Sequence, residues 1–236
     1  MAQPAIILVR PQLGENIGKA ARAMLNFGLE DMRLVAPRDG WPNPAAGPAA
    51  SGADHVLDQA HVFETLQEAV EDCNVVLATT RRPRGMLKEV VTPEHGAAQA
   101  RQLDAKGERI GILFGPERSG LENEDIAASD AILSVPLNEE FGSLNLAQAV
   151  VLFSYEWFKA TDNTAAHRLE RDYSGQATKK DIQGLIDHLE DALEAREYFF
   201  PKDRAPVMRR TLRNLIHRAG FTSQETQTLR GVIKKL

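Results

Sequence analysis

Hydrophobic and polar positions in the first 160 residues follow two alternating patterns. Short continuous apolar runs predict buried strands at residues 5–9, 32–36, 75–79, 110–114 and 132–135. Apolar residues three or four positions apart predict helices at residues 16–27, 62–69, 124–128 and 144–158. The segment at residues 41–53 is rich in Pro, Ala and Gly and is predicted to be a loop. Because continuous apolar strands that alternate with helices are typical of parallel sheets covered on both faces, the pattern predicts an α/β fold with a mainly parallel sheet.

The pattern changes near residue 161. Residues 161–178 are polar and are predicted to form a linker. Three predicted helices follow, at residues 179–196, 207–219 and 223–235, and the first carries apolar residues along one face. The sequence therefore predicts a first domain over residues 1–160, a linker over 161–178 and a small C-terminal helical module over 179–236.

Composition narrows the class of protein. The chain has 236 residues, of which 43% are hydrophobic and 26% charged, as expected for a globular protein. Its apolar runs are too short for a signal peptide or a membrane-spanning helix, which predicts a cytoplasmic protein. A single cysteine, Cys73, excludes an internal disulfide and a cysteine-cluster metal site, and we expect no bound metal.

Charge is distributed unevenly along the chain. Residues 1–160 carry 14 Lys and Arg against 22 Asp and Glu, a net charge of −8, whereas residues 161–236 carry 14 against 11, a net charge of +3. The most basic stretch, at residues 202–218, contains Arg209, Arg210 and Arg213. Because a basic face on an acidic protein can bind phosphate, we expect these three arginines to contact a nucleic acid.

Three segments carry residues suited to chemistry. The first, ENIGKAAR, places Asn16 at a helix start and Arg22 off the apolar face of that helix. The second, LFGPERSGL, runs from a predicted strand into a glycine-rich turn that contains Glu117. The third joins Val-Pro-Leu at residues 135–137 to Ser-Leu-Asn at residues 143–145, where a helix begins. Taken singly, each segment is better explained as a helix cap or an ordinary loop than as a functional site.

In this order and spacing, the three segments resemble the signature motifs of the SpoU/TrmH family, the RNA ribose 2′-O-methyltransferases of the SPOUT superfamily. The final helices, with the sequence ETQTLRG at residues 225–231, resemble the C-terminal extension of the TrmJ branch, which methylates nucleotide 32 of the tRNA anticodon loop. The resemblance implies a trefoil-knotted methyltransferase domain, a homodimer, an RNA substrate, which for the TrmJ branch is tRNA, and S-adenosylmethionine as the methyl donor.

The resemblance also implies where the cofactor binds. Three loops would form its pocket, and the residues implied to line it are Thr79, Thr80, Arg81, Gly115, Glu117, Gly120, Val135, Leu137, Ser143, Leu144 and Asn145. The loop after residue 80 is basic and has few acidic residues, so we expect RNA phosphates to contact Arg81, Arg82, Arg84 and Lys88.

Arg22 is implied to act on the attacking ribose hydroxyl, and the catalytic residues implied to orient it are Asn16, Glu117, Ser143 and Asn145. A free guanidinium has a pKa above about 12 and is a poor base. We therefore expect Arg22 to stabilise the developing alkoxide, while a phosphate or a water molecule assists proton removal. For Glu117, a role in holding its loop is an equal alternative.

Other functions fit parts of the sequence. An oxidoreductase that binds a dinucleotide is excluded, because no G-x-G-x-x-G follows the first strand. Two alternatives stay open: 2′-O-methylation of another tRNA or rRNA nucleotide, and a non-catalytic RNA-binding protein that retains the fold. The base preference depends on loop shape and single-strand contacts, which the sequence does not specify.

Overall fold

The computed structural model describes residues 3–81, 85–165 and 175–235. The chain forms two compact units, Met1–Thr164 and Ala165–Leu236. Part of the predicted linker, residues 166–174, lies outside the described residues. No helix in the described ranges is long and apolar enough to cross a membrane.

A parallel sheet organises the first unit. Within the described part of the chain it has seven strands: β1 (Ala5–Val9), β2 (Met32–Val35), β3 (His61–Phe63), β4 (Val75–Thr79), β5 (Glu89–Val91), β6 (Ile110–Phe114) and β7 (Ala131–Leu133). Their order in the sheet is β3-β2-β1-β6-β4-β7-β5, and every neighbouring pair is parallel. The predicted α/β class is confirmed, and strands β1, β4 and β6 have the predicted bounds.

Helices cover both faces of this sheet. They are α1 (Gly14–Asn26), α2 (Ala46–Ala50), α3 (Asp54–Asp58), α4 (Leu66–Val70), α5 (Pro93–Ala105), α6 (Asn123–Ala127) and α7 (Leu146–Lys159). Alternate residues of β1 point to opposite faces, so Ile6 and Leu8 pack in the core with α1, α5 and α7. Ile7 and Val9 pack in the core with α4 and α6. Burial on both faces explains why the central strands are continuously apolar.

Two predicted elements are wrong. Residues 41–53, predicted as a loop, contain the short helix α2. Residues 62–69, predicted as a helix, are divided between strand β3 and helix α4, because the side chain of Thr65 caps the helix and ends the strand pattern. Strand β5 and helix α5 lie in a stretch for which the pattern predicted no element.

A close approach between two helices fixes the position of α1. A Cβ atom at Gly18 would overlap the carbonyl oxygen of Ala46 in α2 and would crowd Ala49. Only glycine allows the backbones to approach so closely. The glycine of the first motif therefore sets the packing of the helix that carries Asn16 and Arg22.

An ion-pair cluster lies near the amino ends of the strands. The guanidinium of Arg33, only 5% exposed, donates to both carboxylate oxygens of Asp72 at 2.5 and 2.9 Å, and it also donates to Asp31. The hydrogen bond from Arg33 lowers the pKa of Asp72 to about 2. The pair therefore stabilises the folded chain above the ordinary pKa of an Asp, about 4, and this contribution is lost as the pH falls towards 2.

The second unit is a small helical module. Its helices are α8 (Lys179–Glu194), α9 (Ala205–Ala219) and α10 (Ser223–Ile233). They bury a separate core, whose members are Ile182, Leu185, Ile186, Ile216 and Ile233. The predicted module of helices is confirmed, and the trefoil knot of the first unit stays a prediction.

Gly18 and Gly47 provide a matched pair of substitutions. Gly18→Ala should lower the free energy of unfolding by about 2–3 kcal/mol, because the added methyl meets backbone in a packed interface. Gly47→Ala, in α2 itself, should leave it unchanged or raise it slightly, because the nearest atom to the new Cβ is Asp54 Oδ1 at 4.0 Å. Denaturant unfolding of both variants measures the free energy of unfolding. Equal stability of the two would show that the contact between Gly18 and α2 does not require glycine.

Candidate active site

A cleft opens where three strands end. The carboxyl ends of β4, β6 and β7 contribute Thr79, Phe114 and Leu133 to its wall, and its volume is about 410 Å³. Such an edge is where α/β sheets bind ligands, and the volume suits a nucleoside-sized molecule. The other lining residues are Thr80, Arg81, Gly115, Pro116, Glu117, Arg118, Ser119, Gly120, Val135, Leu137, Gly142, Ser143, Leu144, Leu146 and Ala149.

The loop after β6 is folded tightly against itself. A Cβ at Gly115 would overlap the backbone of Gly120 and Leu121. Gly120 has a φ of +70° and donates its N–H to the carbonyl of Pro116 at 2.8 Å. Both glycines are therefore required by the backbone of this turn.

Arg81 joins the first and third loops of the cleft. Its Nη2 donates to the carbonyl oxygen of Glu139 at 3.0 Å, and a Cβ at Gly142 would overlap its guanidinium. Thr79 at the end of β4 donates its hydroxyl to the carbonyl of Leu113 at 2.6 Å. Arg81 therefore holds the loops after β4 and β7 together, and Thr79 ties the end of β4 to β6.

Glu117 connects the loop after β6 to the start of α1. Its Oε2 accepts from the backbone N–H of Gln12 at 2.9 Å, and its Oε1 accepts from the N–H of Leu13 at 3.3 Å and from Asn16 Nδ2 at 2.7 Å. Both carboxylate oxygens are occupied by N–H donors, an arrangement that holds an ionised carboxylate in place.

Asn16 extends the same network to α7. Asn16 is 4% exposed, and its Oδ1 accepts from Asn145 Nδ2 at 3.1 Å. Asn145 is the N-cap of α7, and its own Oδ1 accepts from the N–H of Ala147 at 2.9 Å. One residue from each of the three motifs therefore meets in a single chain of hydrogen bonds.

The predicted residues divide between the cleft and its border. Every residue predicted to hold the cofactor lines the cleft except Asn145, whose side chain is used by the cap and by Asn16. Arg22 is exposed on α1 and does not line the cleft. It lies six residues after Asn16, about 9 Å along the helix axis. It has no ion pair or hydrogen-bond partner within the part of the chain that the structure describes.

The basic loop is described only in part. Arg82 and Arg84, predicted to contact RNA, lie outside the described residues. Lys88 is half-buried and donates its ammonium to the carbonyl oxygens of Ala127, at 3.2 Å, and Ser129 at the end of α6. That ammonium is therefore already occupied by carbonyl groups at a helix end, where a cation is favourable.

The three arginines predicted in the second unit differ from one another. Glu190 is 7% exposed and accepts hydrogen bonds from Arg213, at 2.6 Å, and from Arg209, at 3.0 Å. The hydrogen bonds, first that from Arg213, lower the pKa of Glu190. Arg209 also pairs with Glu194 and stacks on the ring of Phe199. Arg210 is exposed, and among the described residues it has no such partner.

Several residues that line the cleft, and one ion pair beside it, were not predicted from the sequence. Arg118, exposed at the cleft, could have been found from its place between Glu117 and Gly120 in the second motif. The ion pair of Arg10 with Asp125 had no sequence signal, because the two residues are 115 positions apart. No group of three or more His, Cys, Asp or Glu among the described residues is arranged to hold a metal ion.

Comparison with known families adds independent evidence. The SpoU rRNA methylase family matches residues 3–155, and the C-terminal domain of the tRNA methyltransferase TrmJ matches residues 180–236. The tRNA (cytidine/uridine/adenosine-2′-O-)-methyltransferase TrmJ of Pseudomonas aeruginosa is 35% identical over 97% of this chain and 91% of its own length.

Solved structures agree with these matches. The crystal structure of TrmJ from Z. mobilis ZM4 is 56% identical, covers 99% of both chains and superposes with a TM-score of 0.82. The SpoU methyltransferase AviRb from Streptomyces viridochromogenes, solved in complex with AdoMet, is 18% identical, covers 67% of this chain and 57% of its own, and has a TM-score of 0.54. At that identity the second likeness concerns the fold alone. The chain therefore belongs to the SpoU methylase family of RNA methyltransferases, and its residues 180–236 are a TrmJ C-terminal domain.

Proposed function

We propose that the chain methylates the ribose 2′-hydroxyl of nucleotide 32 in the anticodon loop of tRNA. The observation that supports a methyltransferase site is the hydrogen-bond network through which Glu117, Asn16 and Asn145 connect all three motifs at one cleft. Position 32 follows from the resemblance of the final helices to the TrmJ branch. The names of the curated TrmJ relatives, which are tRNA 2′-O-methyltransferases, and the TrmJ C-terminal domain support tRNA as the substrate.

The cleft suits the methyl donor. Leu133, Leu137, Leu144 and Ala149 supply apolar wall for an adenine ring, and the glycine-rich loop offers backbone groups to polar atoms. A cleft of about 410 Å³ has room for a molecule of nucleoside size. When bound, S-adenosylmethionine supplies a methyl group on a positively charged sulfur. The residues of this chain have to bind it, exclude water and orient the ribose.

Arg22 is proposed to act on the substrate rather than on the cofactor. It lies outside the cleft lining, and its guanidinium has no described partner that would compete for a ligand. A planar guanidinium can donate to the 2′-oxygen and to an adjacent phosphate at once, which stabilises the alkoxide as the proton leaves. Glu117 and Asn16 position this helix and take no part in moving the proton.

A second candidate is an rRNA target, since the family that matches residues 3–155 is described as rRNA methylases. The TrmJ domain at residues 180–236 favours tRNA instead. The intact network of motif residues likewise argues against a non-catalytic protein that only binds RNA. Another tRNA nucleotide stays an alternative that the mapping experiment below distinguishes.

The homodimer also remains a proposal. Helix α7 exposes Val151, Tyr155 and Phe158, and Phe27 beside the end of α1 contacts the rings of Tyr155 and Phe158. An exposed apolar face of this kind is suited to a second copy of the chain. It would place α1 and α7, the helices of the first and third motifs, in the interface.

The target atom can be tested directly. We expect labelled methyl to appear at nucleotide 32 of transcribed tRNA, and we expect none at that nucleotide when its ribose is 2′-deoxy, because the accepting oxygen is absent. Mass spectrometric mapping of RNase fragments measures this. Methylation that persists on the deoxy nucleotide would identify a base as the acceptor. A methyl group on a different nucleotide would show that the target is not nucleotide 32.

The role of Arg22 can be separated from binding. Arg22→Ala should lower kcat by about 10²-fold or more, as for loss of a donor to a developing oxyanion, with the affinity for S-adenosylmethionine unchanged. Arg22→Lys should also be impaired, because an ammonium lacks the planar fork. Lys19→Ala, also exposed and one turn earlier, is the control and should keep kcat. Near-normal turnover of both Arg22 variants would give this residue a structural role only.

The second unit is proposed to bind tRNA through Arg210. Arg210→Ala should weaken tRNA binding and reduce the slope of log affinity against log salt by about one, because one phosphate contact is lost. Arg213→Ala should instead lower stability, because it removes a partner of the buried Glu190. Filter binding across a salt series and thermal unfolding measure the two effects. An unchanged salt slope for Arg210→Ala would show that Arg210 does not contact tRNA.

A further inference from the structure

Strand β1 leads into α1 through a strained residue. Arg10 follows the last residue of β1 and has a φ of +47°, in the left-handed region that non-glycine residues seldom adopt. Its backbone N–H donates to the carbonyl of Val35 at 2.8 Å. A residue held in this conformation needs contacts that compensate for it.

The side chain of Arg10 provides such contacts. Its Nη1 and Nη2 donate to Asp125 Oδ1 and Oδ2 at 3.2 and 2.5 Å, and Nη2 lies 3.5 Å from Glu122. Asp125 is 4% exposed, and its Oδ2 also accepts from the N–H of Glu122 at 2.8 Å, which caps α6. A planar, two-bond pair of this kind fixes orientation as well as distance.

This pair is the second of two attachments between the same segments. Glu117 joins the loop after β6 to Gln12, Leu13 and Asn16, and Asp125 joins the end of that loop to Arg10. A loop held at one point can pivot about it, whereas a loop held at two points keeps its orientation. Residues 118–120, which lie between the two attachments, line the cleft.

We propose that Arg10 is a positioning residue that holds the loop at residues 115–122 in the form that binds the methyl donor. Ordering a loop on binding costs affinity, and a loop ordered beforehand avoids that cost. Arg10 does not line the cleft, so it acts through Asp125. The inference rests on the proposed function only in taking S-adenosylmethionine as the ligand of this cleft.

The Arg33–Asp72 pair is the matched control. It is also a two-bond pair with one buried member, and it lies near the amino ends of the strands, away from the cleft. Neither of its residues lines the cleft. Its loss should lower stability without affecting the loop.

The test uses Arg10→Asn and Asp125→Asn in the full chain. Asparagine tolerates a positive φ, so the first variant removes the fork while keeping the backbone. In the second variant, the amide oxygen can take the place of Oδ2 and still accept from the N–H of Glu122, so that α6 stays capped. Calorimetric titration with S-adenosylmethionine, without RNA, should show about tenfold weaker binding for each variant, and no further loss for the double variant. At saturating S-adenosylmethionine, kcat should stay close to that of the unaltered chain.

Asp72→Asn should lower the unfolding temperature. It should leave the dissociation constant for S-adenosylmethionine within about twofold of that of the unaltered chain, because distant sites usually act independently. An unchanged dissociation constant for Arg10→Asn would overturn the proposal. So would an equal weakening by Asp72→Asn, which would trace the effect to stability, or a double variant much weaker than either single one. Absence of binding by the unaltered chain would overturn the proposed function itself, and methylation of an unexpected nucleotide would leave this inference intact.

Discussion

The carboxylate of Glu117 is the group on which the site depends. It accepts from Asn16, which is 101 positions away in sequence, and Asn16 in turn accepts from Asn145, which is 129 positions from Asn16. The parallel sheet brings the carboxyl ends of its strands to one edge, but strand ends alone leave loops free to vary. Hydrogen bonds to a charged acceptor contribute about 1.5–3 kcal/mol each, enough to select one arrangement of these loops. The motifs meet because the carboxylate of Glu117 accepts from the start of α1, where Asn16 accepts in turn from the N-cap residue of α7.

Periodicity predicted the central strands because they are buried on both faces. Residues such as Ile6 and Ile7 face different cores, so both must be apolar, and the run has the bounds of β1. At the sheet edge this signal fails. Val62 is half exposed in β3, and Val90 is exposed in β5, so neither strand shows a buried run. Helix α2 has only five residues and depends on contact with Gly18, which local sequence does not encode.

Most residues that line the cleft could be predicted from the family motifs, whereas the roles of single charges could not. Arg209, Arg210 and Arg213 are equivalent by sequence, yet two of them pair with Glu190, and Arg210 has no such partner among the described residues. In the first unit, Arg33, Arg38, Arg101 and Arg109 are similarly engaged by neighbouring groups. Among its described cations, Lys19, Arg22, Lys106 and Arg118 have no such partner. Net charge therefore says little about where a polyanion binds, because pairing partners lie far apart in sequence.

The contact between Gly18 and Ala46 has a consequence for how this protein can diverge. Helix α2 belongs to a surface segment whose composition could drift freely if it were only a connection between strands. Its backbone, however, packs directly against α1 at Gly18. A longer or bulkier segment there would therefore shift the helix that carries Arg22. Under the role proposed for Arg22, changes at a distance from the cleft would appear in assays as catalytic defects. Natural variation should accordingly accumulate on the outer side of this segment and spare the few positions that touch the glycine.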